Sequence, residues 1–252
     1  MDALDHRLLD EFQRDFPLIS RPFAVLGAAL GISETEVITR LTQLQAAGSI
    51  ARVGGTVRPN TAGASTLAAL AVPEARIDAV AAMVNDEDGV NHSYLREDEW
   101  NLWFVATAPD ANGLQASLDR IAARTGLKVL SLPLLRAFNI DLGFRLTGAR
   151  AALTTDVAYD ESALHPTDRP LLQIMSAGLP LVARPFADVA ATLGWTEAQV
   201  LDRLQSLSTA RILTRIGVIV RHRAIGWAAN AMVVWDVAPQ DMETAGRSLA
   251  TL

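Results

Sequence analysis

The sequence predicts an α+β protein built as a tandem repeat. Each copy is a winged helix-turn-helix followed by a split β-α-β-β-α-β sandwich, and the second sandwich is incomplete. Three observations predict this. The stretch "FPLISRPFAVLGAALGISETEVITRLTQLQAAGSIARVGG" from Phe16 returns as "LPLVARPFADVAATLGWTEAQVLDRLQSLSTARILTRIGV" from Leu179, at one ungapped offset of 163 residues (Gly54 to Gly217). That period far exceeds a solenoid repeat and reads as a duplicated domain. Within each copy, apolar residues recur three times at helical spacing and then give way to a glycine-centred β-like stretch. Beyond the first copy, short apolar strands alternate with two helical stretches.

The elements follow in order. Leu4, Leu8, Leu9 and Phe12 mark one face of a first helix. Pro22 suits the first turn of a second helix that ends near Gly31. Ser33 with Glu36 forms a capping-box pattern before a third helix carrying Val37, Leu41 and Leu44 inward, and Thr196 with Gln199 repeats the box. "SIARVGGTVRP" predicts a hairpin turning at Gly54-Gly55. Next come a strand "STLAALAV", a helix through Ile77, Val80 and Val84, strands "GVNHSYLR" and "WNLWFVAT", a helix through Leu114, Leu118 and Ile121, and a last strand in "LKVLSLPLLRAFNI". This is the order of a ferredoxin-like sandwich. The expected divisions are 1–60 winged helix-turn-helix, 61–141 sandwich, 142–164 linker, 165–223 second winged helix-turn-helix, and 224–252 the start of a second sandwich, with "NAMVVWDV" as its strand and a helix near Met242. Beside the first copy the second breaks off early, so the chain reads as truncated.

Composition narrows the function classes. Among 252 residues there is no cysteine, which removes disulfides, thiolate zinc sites and cysteine nucleophiles. The formal charge of −6 argues against a broad nucleic-acid footprint. The third helices sharpen the point: "SETEVITRLTQLQAA" and "TEAQVLDRLQSLSTA" each sum to −1, and an acidic recognition helix repels phosphate. The acidic, amphipathic N-terminus is unlike a signal peptide, and no apolar run approaches the roughly 20 residues that span a bilayer. A soluble cytoplasmic protein with no membrane partner is the expectation.

A winged helix followed by such a sandwich resembles the Lrp/AsnC regulators, whose function would be DNA binding. The strings "VNHSYLREDEWNLWFV", "FNIDLGF" and "RIGVIVRHRAIGWAANAMVVWDV" resemble siroheme decarboxylase, an enzymatic offshoot of that architecture with a fused two-copy form. This resemblance covers nearly the whole chain. It implies removal of two acetate carboxylates from siroheme, giving didecarboxysiroheme for d1-type or alternative heme synthesis. The expected partners are siroheme, a homodimer or pseudo-dimer through the sandwich sheets, and other heme-biosynthesis proteins, with no DNA. No protein-bound metal or separate cofactor is implied, because the substrate carries its own iron. A DNA-binding regulator and a catalytically inactive tetrapyrrole-binding partner stand as alternatives.

On a strand, alternate residues share a face, so His92, Tyr94 and Arg96 point one way. Trp100, Asn101 and Trp103 follow on the next strand. A flat macrocycle ringed by carboxylates calls for aromatic walls and a cationic rim. Under the resemblance, His92 is the candidate acid that protonates the carbon left by carbon dioxide, with Tyr94 orienting or relaying. Arg96 would grip a neighbouring, non-reacting carboxylate, since a fork on the reacting one stabilises the ground state. Trp100, Asn101 and Trp103 would contact the ring, although an indole at this place also reads as core. Arg52, Arg58, Arg215, Arg221, His222 and Arg223 are candidate clamps for carboxylates, and solvated wing residues on the plainer reading.

Overall fold

The computed structural model describes residues 1–59, 61–135, 138, 158–221 and 233–249, with backbone only at 91 and 92. The chain divides into two compact units, Met1–Arg58 with Phe138–Leu252, and Pro59–Ala137.

The first unit contains both helix-turn-helix copies. In copy one, α1 (Ala3–Glu11), α2 (Pro22–Leu30) and α3 (Glu34–Ala46) bury Leu8, Leu9, Phe23, Leu26, Val37 and Leu41, each side chain contributing about 1.5–3 kcal/mol of transfer free energy. In copy two, α6 (Arg169–Ala177), α7 (Pro185–Leu193) and α8 (Glu197–Thr209) repeat the arrangement. Gly31 and Gly194 both close their helices in the left-handed region, where glycine pays no steric cost. The reciprocal capping box is complete only in copy two, at Thr196 and Gln199. In copy one Ser33 caps through its hydroxyl, while the Glu36 carboxylate accepts from Arg40 instead.

The expected hairpin at Gly54-Gly55 is not a hairpin. β1 (Ile50–Val57) runs straight through both glycines and pairs antiparallel with its own repeat, β6 (Leu213–Val220). Gly54 faces Gly217, Val53 faces Val218, and Thr56 faces Arg215, so a pseudo-twofold axis passes through the Gly54–Gly217 pair. The reason is steric. A Cβ on Gly54 would strike the Met175 carbonyl at the end of α6, and one on Gly217 would strike Phe12 and Gln13 at the end of α1. Each strand is thus closed along its outer edge by the other copy. The Val218 amide donates to the Phe12 carbonyl and Phe16 to Ile216, while Leu179 donates to Val53.

The second unit is the sandwich. β2 (Ala64–Leu70), α4 (Ile77–Asn85), β3 (Val90–Leu95), β4 (Leu102–Ala108), α5 (Ala111–Thr125) and β5 (Val129–Pro133) follow the expected order. They form one antiparallel sheet ordered β3-β4-β2-β5. Ala68, Leu70, Leu102, Phe104 and Ala106 pack with Val80, Val84, Leu118 and Ile121 from the two helices to form its core.

Of the expected second sandwich, α9 (Met242–Leu249) is present. Residues 230–232 of the expected strand "NAMVVWDV" lie outside the described residues, residues 233–238 carry no strand, and Val233, Val234 and Trp235 are exposed there.

Candidate active site

The stretch "VNHSYLREDEWNLWFV" sits on β3, β4 and the turn between them. A bulge between Val90 and His92 resets the register, which places His92 opposite Val105 and Tyr94 opposite Trp103. The β3 strand ends at Leu95, and the Arg96 amide closes the hairpin by donating to the Asn101 carbonyl at 2.8 Å. The Arg96 guanidinium folds back over the Tyr94 ring at 5.2 Å and donates to the Leu95 carbonyl. Tyr94 and Arg96 therefore form one stacked pair, both half-buried, with the ring's negative face set against the cation. The turn beyond carries Glu97, Asp98 and Glu99, all exposed.

Trp103 is 8% exposed and its indole N–H donates to the Trp100 carbonyl, which fixes the ring. Opposite it on β2 stands Ala69, small enough to leave room for an indole. The Asn101 side chain is engaged by the backbone at the exit of β2. Its amide accepts from the Val72 N–H at 2.9 Å and donates to the Val72 carbonyl at 2.8 Å. It mimics one more residue of sheet at the exit of β2, so its polar atoms serve the frame that holds Trp100 and Trp103.

Four of the candidate clamp arginines fall into two pairs related by the pseudo-twofold. Arg58 and Arg221 leave the strand ends, their amides donating to Ile212 and Ser49 respectively. The Arg58 guanidinium lies over the Tyr159 ring at 4.3 Å, and Arg221 is exposed. Arg52 and Arg215 lie nearer the axis and are half-buried. Burial pulls the Arg52 pKa below its ordinary value, since desolvation disfavours the cation. Among the described residues the buried Nε of Arg52 has no hydrogen-bond partner. His222 and Arg223 lie outside the described residues. Sequence reasoning missed Tyr159. The chain has only two tyrosines, and each stacks against an arginine; that scarcity was the available signal.

The third helices offer no loose cation. Arg40 is bonded to Asp2, Asp5 and Glu36, and its repeat Arg203 to Asp168 and the Ala163 carbonyl. These partners raise both arginine pKa values. Arg21 and Arg184 likewise pair with Glu34 and Glu197. Among the described residues no group of three or more His, Cys, Asp or Glu side chains could hold a metal ion.

Comparison with known proteins decides the family. A profile described as the siroheme decarboxylase NirDL-like HTH domain matches residues 5–50 and again 168–213, and one described as an AsnC-like ligand binding domain matches 62–139. The siroheme decarboxylase NirDL subunit of Paracoccus denitrificans is 59% identical over 250 residues, covering 99% of this chain and 77% of that one. The chain belongs to the siroheme decarboxylase family. The NirDL subunit of Paracoccus pantotrophus is 60% identical over 253 residues, covering 100% of this chain and 78% of its own. A crystal structure of siroheme decarboxylase NirDL in co-complex with an iron-uroporphyrin III analogue superposes with a TM-score of 0.64 at 27% identity, covering 99% of this chain and 72% of that chain. The siroheme decarboxylase chain thus has the Lrp/AsnC architecture twice over in its helical part, with one complete sandwich among the described residues.

Proposed function

We propose that this chain removes carbon dioxide from two acetate side chains of siroheme, giving didecarboxysiroheme. The observation that carries this is 59% identity to a siroheme decarboxylase subunit along 99% of the chain, supported by a related structure holding an iron-tetrapyrrole analogue. The iron enters with the macrocycle, so the protein supplies positioning and protons rather than a metal. In each half-reaction the carbon–carbon bond to the carboxylate breaks and its electron pair passes into the conjugated ring. A proton then converts the former acetate to a methyl group.

His92 is the proton donor in this reading, since imidazole titrates near neutral pH. Its strand position beside Tyr94 and opposite Val105 supports the role. Tyr94 relays or orients, and Arg96, held over the Tyr94 ring, takes a non-reacting carboxylate. Trp100 and Trp103 wall the ring. Arg52, Arg58, Arg215, Arg221, His222 and Arg223 are the candidate rim cations. DNA plays no part, because the arginine on each third helix is held by carboxylates. We place the protein in the cytoplasm, as a dimer through the sandwich sheet, whose β5 edge exposes Leu132, with Leu134 and Leu135 exposed just beyond its end. A single-chain mass by light scattering, or recovery with membranes, would overturn those two assignments.

The test is anaerobic incubation with siroheme followed by mass analysis. Loss of two carbon dioxide units is expected, and an unchanged mass refutes the activity. The His92→Ala variant should lose roughly 10²–10⁴-fold in turnover while siroheme affinity stays within about tenfold. Normal turnover in that variant would remove His92 from the mechanism.

A further inference from the structure

The turn that closes α8 fastens three groups with three successive carbonyls. Ala210 accepts from the Asp160 amide at 3.0 Å, Arg211 from the Arg58 Nε at 3.4 Å, and Ile212 from the Arg58 amide at 2.8 Å. Arg211 reaches this geometry in a left-handed conformation, φ 61. Residue 159 is thereby seated beside the end of β1, and the Tyr159 ring lies against the Arg58 guanidinium at 4.3 Å. The segment beyond the tyrosine is tied down as well. Ser162 donates to the Asp160 carboxylate through its amide at 3.0 Å and its hydroxyl at 2.6 Å. The Ala163 carbonyl accepts from Arg203, itself paired with the buried Asp168. At the twofold-related place Arg221 has the matching amide bond to Ser49, but its side chain is exposed.

A guanidinium carries its N–H donors in its own plane, so a carboxylate takes its edge and an aromatic ring takes its face. Arg21, Arg40, Arg184 and Arg203 bond carboxylates of their own chain. Arg58 lies with its face on Tyr159, as Arg96 does on Tyr94. A ring on the face orders the long side chain and is compatible with a carboxylate arriving at the edge. We propose that Tyr159 is a positioning residue for substrate binding: its ring holds Arg58 in the orientation that takes a rim carboxylate of the tetrapyrrole. This rests on the siroheme reading and on Arg58 as a rim cation. Tyr159 acts through Arg58, by ordering the arginine before the ligand arrives, an effect of about threefold to tenfold in affinity.

The experiment titrates iron-uroporphyrin by its absorbance against the wild-type chain, Arg58→Met, Tyr159→Leu, Tyr159→Phe and the double variant Arg58→Met with Tyr159→Leu. Arg58→Met should weaken binding by about tenfold or more, the loss of a charge-assisted pair. Tyr159→Leu should weaken it by about threefold to tenfold, and Tyr159→Phe, which keeps the ring face, should recover most of that loss. The double variant should bind no more weakly than Arg58→Met alone, because the tyrosine acts only through the arginine. Tyr159 is 43% exposed, so Tyr159→Leu should melt close to the wild type. Wild-type affinity in Tyr159→Leu, a loss in Tyr159→Phe as large as in Tyr159→Leu, or additive losses in the double variant overturns the inference and leaves the siroheme reading standing. A Tyr159→Leu chain that melts far below the wild type makes the ring structural and overturns it too. If Arg58→Met binds as tightly as the wild type, Arg58 leaves the rim and the inference falls with it. A wild-type chain that binds no iron-uroporphyrin sinks the siroheme reading and the inference together.

Discussion

Replacing Asn101 by alanine separates a substrate contact from a structural strap. The wild-type amide makes two hydrogen bonds to the Val72 backbone, at 2.9 and 2.8 Å, and Val72 is 4% exposed. Alanine removes both bonds and leaves a buried N–H and a buried carbonyl without these partners. Each of the two orphaned groups costs about 1–3 kcal/mol, so the loss should total about 2–6 kcal/mol. For a domain the size of the sandwich, each kcal/mol lowers Tm by roughly 4–8 °C. A fall of about 10 °C or more is therefore expected by calorimetry on the full chain. Siroheme turnover measured well below the new Tm should fall much less than the stability does. A variant that melts within about 2 °C of wild type yet loses turnover tenfold would refute the strap and make Asn101 a ligand contact.

Two further outcomes follow from the helical unit. Arg203→Ala strands the fully buried Asp168 carboxylate and should cost about 3–5 kcal/mol by chemical denaturation. Arg40→Ala, whose partners Asp2 and Glu36 are largely exposed, should cost clearly less, and equal losses would mean that the Asp168 pair is not the anchor described. Selection from a random duplex library at physiological salt should enrich no motif, because those same arginines are unavailable to phosphate; enrichment of one palindrome, lost on changing Arg40 or Arg203, would restore the regulator.

The helices, their caps and the sandwich order were legible because each is written locally, in 3.6-residue spacing, a Ser or Thr before a Glu or Gln, and alternating strands. The ribbon was not. "RVGGTVR" satisfies a hairpin and a straight strand equally well over its own length. What excludes the hairpin is the carbonyl of Met175 pressed against Gly54, a contact written more than a hundred residues away. At the candidate site, Tyr94 beside Arg96 followed from alternation along one strand. The work of Asn101 did not, because its partner Val72 belongs to another strand end. Arg52 and Arg215 read alike for the same reason: their local strings "ARVGG" and "TRIGV" match, and the turns beside them cross over from the opposite copy.

That crossing explains what covalent duplication makes available. In a twofold dimer of identical chains, the turn facing β1 and the turn facing β6 would have to carry the same residues. Joining the copies in one chain keeps the glycine pair at the axis, Gly54 against Gly217, and with it the close approach that seals both strands. It also frees the turns to diverge, Asp15 on one side and Gly178 on the other. The same freedom shows at the helix ends. Gly48 takes the left-handed position after α3, while its repeat Arg211 holds that conformation with a side chain and presents its carbonyl to the Arg58 Nε. Symmetry is retained where backbone meets backbone, at Gly54 and Gly217, and broken where side chains face outward, at Asp15 and Arg211.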